Sequence, residues 1–171
     1  FEFIERIDAM RSKDEIGQAL AAELVDFGFE YVTVWTVPPP GNEPIGPLLN
    51  TRPEEYVRRY IECDYVLRDP VVTHLRTTLA TFSWSDVKRF RPLSNEELRI
   101  MEEARDFDVT DGLIVPIATL SGSLAIVSPC GRAPDLSPRA RRAVSMISVF
   151  GHQALARLQH RTPRRDEHYE P

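Results

Sequence analysis

Three short apolar runs, rich in β-branched and aromatic residues, constrain the fold of this chain more than any other feature. Residues 31–37, YVTVWTV, carry no charge and consist only of β-branched and aromatic residues, which favours a central β-strand. Residues 112–119 and 123–128 are separated only by a short turn around Gly122, which predicts a β-hairpin. Residues 48–51 are predicted to pair back onto the first strand after a proline-rich loop.

Helix-start signals lie before, between and after these runs. They are Ser12 with Glu15, Pro53, Asp69 with Pro70, Ser94 with Glu97, and Ser137 with Pro138. A serine followed three residues later by glutamate is a capping box, and a capping carboxylate before proline suits a first helical turn. The order of elements predicts an α+β fold, an α/β/α sandwich of sensory-domain type in which a central antiparallel sheet carries helices on both faces. We expect residues 1–160 to form this domain and residues 161–171 a linker.

Charge and cysteine content exclude several classes of function. The 171 residues contain 21 Lys and Arg against 26 Asp and Glu, a net charge of −5, and this sign does not suit a domain that itself follows nucleic-acid phosphates. The two cysteines, Cys63 and Cys130, point to a reducing compartment. No run reaches the roughly 18 apolar residues of a membrane span, and the first residues do not match a signal peptide. We therefore expect a cytoplasmic protein without membrane contact.

Residues 52–86 combine hydroxyl, carboxylate and indole groups with apolar neighbours. These polar or aromatic candidates are Tyr56, Tyr60, Tyr65, Asp69, Phe82 and Trp84. Such a mixture suits a small ligand with an apolar body and a few polar atoms, because a carboxylate accepts an amide N–H while tyrosine and tryptophan donate to carbonyls. Taken singly, the same residues also fit a plain helix cap and a plain aromatic core.

The spacing of these residues resembles a known family. The run Y-x3-Y-x4-Y-x3-D-P-V-V, followed by F-x-W, is similar to the autoinducer-binding domain of LuxR-type quorum-sensing regulators. The resemblance covers nearly the whole chain, including the leading helices, the late hairpin and the long closing helix. It implies a sheet of about five antiparallel strands and an N-acyl-homoserine lactone as the signal ligand, without any cofactor.

The resemblance also implies a role for each matching residue. Asp69 would accept the amide N–H of the ligand, Tyr60 and Ser128 would bond the acyl carbonyl, and Trp84 would pack on the lactone ring. Val72, Leu75, Leu124 and Ile126 would contact the acyl group. In this family a helix-turn-helix domain follows the linker and contacts DNA as part of a homodimer, so we expect homodimers here and DNA binding only through such a further domain.

Two positions depart from the family pattern. Tyr56 stands where the family has a tryptophan that donates to the lactone carbonyl; a phenol also donates, but with a different reach. Ala125 stands where many members have glycine, and Ile126 where some have a smaller residue. These two residues predict a tight pocket that favours a short, branched or aromatic acyl group.

Other kinds of site are less well supported. Ser128, His74 and Asp69 contain the residue types of a hydrolytic triad, which leaves a small enzyme acting on an amide or lactone as an alternative, but no G-x-S-x-G motif is present. The histidines and cysteines lack metal-ligand spacing. A sensory domain for an unrelated metabolite is a further alternative. We expect a regulatory domain and not an enzyme.

Overall fold

The computed structural model describes residues 2–37, 46–119 and 122–161, without the side chains of the last two. Its seven helices are α1 (Glu2–Ala9), α2 (Lys13–Val25), α3 (Glu54–Glu62), α4 (Pro70–Leu75), α5 (Val87–Phe90), α6 (Asn95–Glu103) and α7 (Pro138–Arg161). Its five strands are β1 (Tyr31–Val37), β2 (Leu49–Asn50), β3 (Phe82–Ser83), β4 (Asp111–Ala118) and β5 (Leu124–Gly131). Three predicted segments lie outside these ranges in whole or in part. They are the proline-rich loop, the first two residues of the hairpin turn and most of the linker.

The strands form one antiparallel sheet in the order β2-β1-β5-β4-β3, which confirms the predicted fold class. The hairpin β4–β5 lies at its centre, and β1 pairs with β5 along its whole length, from Tyr31 opposite Cys130 to Val37 opposite Leu124. The strand β3 was not predicted, because two residues are too few to show an alternating pattern. No helix within the described ranges is long and apolar enough to cross a membrane.

Local capping interactions place the helix starts where the sequence predicts them. Ser12 and Ser94 each close a reciprocal capping box with the glutamate three residues later. Asp69 caps α4 by accepting the N–H of Val71, with Pro70 as the first helical residue. The helix α4 is short: it ends at Leu75, and Leu79, one turn further along the chain, is 66% exposed.

The alternation of side chains along the strands divides the interior into two cores. The first core lies between the sheet and helices α1, α2 and α7, and is built from aliphatic residues such as Val32, Val34 and Val127. Close contact between α2 and α7 requires Gly151, since a Cβ there would lie 2.4 Å from Cδ2 of Leu20. The second core lies on the opposite face under the shorter helices and contains more aromatic residues than the first. This second face holds the candidate site.

Candidate ligand-binding site

A cavity of about 740 Å³ lies between the second face of the sheet and the helices α3, α4 and α6. Its sheet wall includes Thr33, Trp35, Ile114, Ile126 and Ser128, and its helical wall includes Tyr56, Tyr60, Ile61, Asp69, Val72, Leu75, Ile100 and Met101. The volume falls within the range of roughly 300–1,000 Å³ typical of small-molecule pockets, and the lining is mainly apolar with a few polar groups, as such pockets usually are.

Asp69 is an acidic residue in the helical wall of the cavity. Its Oδ1 accepts the backbone N–H of Val71 at 2.7 Å, and its Oδ2 accepts the hydroxyl of Tyr60 at 2.6 Å. Burial raises the pKa of this carboxyl above its ordinary value, although the hydrogen bonds from Tyr60 and Val71 act in the opposite direction. Each carboxylate oxygen keeps a further lone pair, so Asp69 can accept another donor from a molecule in the cavity.

Two tyrosines of α3 stand one helical turn apart on this wall. Burial raises the pKa of both Tyr56 and Tyr60, and the neighbouring Asp69 raises that of Tyr60 further, so both hydroxyls keep their protons. Tyr60 donates its proton to Asp69. The Tyr56 hydroxyl makes no hydrogen bond to any residue that the structure describes, and is therefore available as a donor.

Trp84 closes one end of the site and is 7% exposed. A turn that starts with Ser83 and includes Asp86 as its capping partner holds the indole, and Arg141 of α7 donates to both of those residues. The indole fits against β4 only because residue 112 is glycine, since a Cβ there would lie 2.9 Å from Cε2 of Trp84. Its Nε1 is buried without a hydrogen-bond partner in the described part of the chain.

Arg52 is a cavity residue that sequence reasoning missed. Its Nη2 donates to Oγ of Ser128 at 2.7 Å, and its guanidinium carbon lies 5.3 Å from the ring centre of Trp84 and 5.9 Å from that of Tyr56. The sequence does not indicate that Arg52 lines a cavity, because an arginine directly before a helix usually lies on the surface. Thr33 and Trp35 were also missed, although the two-residue period of β1 places both on one face.

The cavity brings together eight of the eleven predicted ligand residues. They are Tyr56, Tyr60, Asp69, Val72, Leu75, Trp84, Ile126 and Ser128. Tyr65, Phe82 and Leu124 do not line it. The Tyr65 hydroxyl instead donates to Glu103, the Phe82 ring packs edge-on against His74 at 4.7 Å, and Leu124 lies at the start of β5, where it packs against the second core.

One basis for a tight pocket is wrong. Ala125 alternates with Ile126 along β5 and so belongs to the face of Val127, which is the face of the first core. It is fully buried and does not line the cavity, whereas Ile126 does. The expected restriction on the acyl group therefore rests on Ile126 alone.

The residues of the alternative hydrolytic triad do not come together. The ring of His74 stacks on Phe90 at 4.2 Å and does not line the cavity, and it forms no hydrogen bond with Asp69 or Ser128. Ser128 accepts a hydrogen bond from Arg52 instead of donating to a base. The described residues also contain no cluster of three potential metal ligands.

A family model and several curated relatives match this chain. The model of the autoinducer binding domain matches residues 12–155. The transcriptional activator BjaR1 of Bradyrhizobium diazoefficiens is 32% identical over 163 residues, which is 95% of this chain and 67% of the relative. The quorum sensing-dependent regulator RpaR of Rhodopseudomonas palustris is 34% identical over 124 residues, 72% of this chain and 51% of the relative.

The chain belongs to the autoinducer-binding domain family. It is an autoinducer-binding domain of LuxR-type quorum-sensing transcription regulators, and not an enzyme. This confirms the family indicated by the tyrosine, aspartate and tryptophan spacing. The chain spans about half of RpaR and two thirds of BjaR1.

A solved structure supports the same fold. The transcription factor CepR2 of Burkholderia cenocepacia superimposes on the domain with a TM-score of 0.73 at 16% identity, over 93% of this chain and 94% of that one. At this level of identity the similarity concerns the fold, and it agrees with the five-stranded antiparallel sheet and its two helical layers.

Proposed function

We propose that this autoinducer-binding domain binds an N-acyl-homoserine lactone in the cavity on the second face of the sheet. The observation that carries the proposal is the Asp69 carboxylate in the wall of a mainly apolar cavity. A carboxylate in such surroundings is costly unless donors reach it, and a secondary amide on an apolar chain supplies one N–H donor together with apolar surface. CepR2, with the same fold, is described by its name as dependent on N-acylhomoserine lactone.

The surrounding residues suit the other parts of such a ligand. The Tyr56 hydroxyl donates to the lactone carbonyl, and the Trp84 indole packs on the lactone ring. Ser128 serves the acyl carbonyl, while Tyr60 orients the Asp69 carboxylate by donating to it. The acyl group lies against Val72, Leu75 and Ile126. A preference for short, branched or aromatic acyl groups stays a prediction.

A thermal-shift series tests this function. The 171-residue chain is melted with homoserine lactones that carry short linear, long linear, branched or aromatic acyl groups. A ligand that binds only the folded state adds about 2.7 kcal/mol at a hundredfold excess over its Kd, which corresponds to a rise in melting temperature of roughly 5–10 °C. If none of the four shifts the transition, the proposal is wrong.

The fate of the ligand separates a sensor from the hydrolytic alternative. The best-binding lactone is incubated with the protein, extracted after denaturation and examined by mass spectrometry. Intact lactone and amide are expected, because His74 is not within reach of Ser128 as a base. Protein-dependent opening of the lactone or cleavage of the amide would favour the enzyme.

We also propose that the domain works as a cytoplasmic homodimer joined to a separate DNA-binding domain. Its net charge of −5 supports a division of labour in which this part does not contact DNA itself. On the long helix α7, Val144 is fully buried in the first core, whereas Met146, on roughly the opposite side of the helix, is 61% exposed and available for a partner. Sedimentation of the liganded domain tests the dimer, and a single species of 19.5 kDa would contradict it.

A further inference from the structure

The guanidinium of Arg52 occupies an unusual position for a charged group. It lies at the wall of the cavity, over the rings of Trp84 and Tyr56, where it donates to the hydroxyl of Ser128 and also contacts the thiol of Cys130. No ion pair with a described carboxylate involves Arg52. Its Nε is buried without a partner. A buried cation with unused donors favours a bound group that carries an oxygen acceptor.

The hydrogen bonds already present limit which residue can serve the acyl carbonyl. Tyr60 gives its only hydroxyl proton to Asp69 at 2.6 Å, so in this arrangement it cannot also donate to a ligand carbonyl. Ser128 has one proton to donate, and Arg52, bonded to Ser128, has five N–H groups of which that bond uses one. The strongest available donor beside Ser128 is therefore the guanidinium.

The two walls of the cavity also match the shape of a secondary amide. In a trans amide the N–H and the C=O point in opposite directions. Asp69 is part of the helical wall, and Ser128, which holds Arg52, is part of the sheet wall. An amide between these walls can place its N–H toward the carboxylate and its carbonyl oxygen toward the guanidinium.

We propose that Arg52 is a ligand-binding residue whose guanidinium donates a charge-assisted hydrogen bond to the acyl carbonyl oxygen of the bound amide, while Asp69 accepts the N–H of the same amide. This inference rests on the proposed function. It assigns to Arg52 and Ser128 together the contact that sequence reasoning gave to Tyr60 and Ser128. The stacking on Trp84 and Tyr56 fixes the plane of the guanidinium and so directs its donors.

Affinity measurements on matched variants test the assignment. The probe is the best-binding of the four acyl-homoserine lactones named above. Arg52→Met keeps much of the apolar stem and removes the donors, and is expected to weaken binding by about 10- to 100-fold. Arg52→Lys keeps the charge and is expected to recover part of the loss. The control is Arg58→Met, because Arg58 is an exposed residue of α3 that does not line the cavity.

Infrared spectroscopy separates direct binding from a structural role. The same probe is labelled with heavy carbon at its amide carbonyl, and the stretching band of that carbonyl is recorded when bound. A charge-assisted hydrogen bond lowers this band, so it should lie below that of the ligand free in water, and should move up in Arg52→Met. A residue that only supports the wall would not move it.

The outcomes distinguish this inference from the proposed function. If no probe binds the wild-type chain, both fail. If a probe binds but Arg52→Met keeps full affinity, or the wild-type band lies at or above its position in water, the proposed function stands and the role of Arg52 is wrong. A wild-type band at or above the position in water would contradict the role of Arg52 even if Arg52→Met does not fold, and Arg52→Lys then supplies the second variant for the comparison.

Discussion

The two faces of the sheet differ in composition and in use. The first core is closed by the long helices α2 and α7, and its buried hydrophobic members are aliphatic apart from a phenylalanine. The second core is rich in aromatic residues, is covered by short helices and encloses the cavity with Asp69 and Arg52 in its wall. We therefore expect the first core to supply most of the stability, while the second leaves space for a ligand.

The largest expected effect comes from removing a side chain of the first core. Leu20→Ala deletes a fully buried group packed on α7 and should lower the free energy of unfolding by about 2–5 kcal/mol. Leu75→Ala removes the same atoms from the cavity wall and should cost less, because it enlarges a space that already exists. Urea denaturation of both variants measures this, and an equal or larger loss for Leu75→Ala would contradict the comparison.

A polar change in the second face should act on binding instead of folding. Asp69→Asn keeps the oxygen that caps α4 but places an NH2 group against a donor, so affinity for the lactone should fall about 10- to 100-fold, or roughly 1.5–3 kcal/mol. Calorimetric titration measures the affinity, and circular dichroism checks that the fold survives. Unchanged affinity would contradict a role of Asp69 in binding and leave it only the role of capping α4.

The ion pair between Asp86 and Arg141 of α7 should make the free energy of unfolding depend on pH. Burial of the Asp86 side chain raises its pKa, but the bonded Arg141 guanidinium at 2.5 Å and the Ser83 groups outweigh this and lower the pKa to about 2. Because the pKa of Asp86 in the folded state is below its ordinary value of 3.8, the stabilisation is present above about pH 4 and is lost as the pH falls toward 2.

The size of this effect follows from the shift. The contribution is about 2 kcal/mol, since each pKa unit corresponds to about 1.4 kcal/mol. Unfolding of wild type and Asp86→Asn is compared between pH 2 and pH 6, a range set by these values. The two curves should differ most at pH 6 and converge near pH 2, and a constant difference would refute the assignment.

The smallest effect concerns a tyrosine that the structure places outside the cavity. Tyr65→Phe removes the hydrogen bond to Glu103, which also accepts from Arg59 and Arg99, and should cost about 1 kcal/mol of stability. Affinity for the lactone should stay within about twofold of wild type, because Tyr65 does not line the cavity. A tenfold loss of affinity would indicate that Tyr65 contacts the ligand, contrary to this expectation.

The sequence by itself determined the elements whose causes are local. The capping boxes at Ser12 and Ser94 and the start of α4 at Asp69 depend on residues within four positions of each other, so they can be read directly. The strand β1 was predicted with its observed bounds because β-branched and aromatic residues are continuous over it. The spacing of Tyr60, Asp69 and Trp84 sufficed to indicate the family, and all three residues line the cavity.

Only the tertiary structure decided which side chains face the cavity and which partners they find. Arg52 bonds to Ser128, 76 positions away, and Tyr65 turns to Glu103, 38 positions away. Ala125 and Ile126 are neighbours in sequence, yet they lie on opposite faces of the sheet. Their direction depends on strand register and on how the helices close over each face. Strand register and the position of the helices are set by packing between distant segments, so a local sequence pattern cannot predict them.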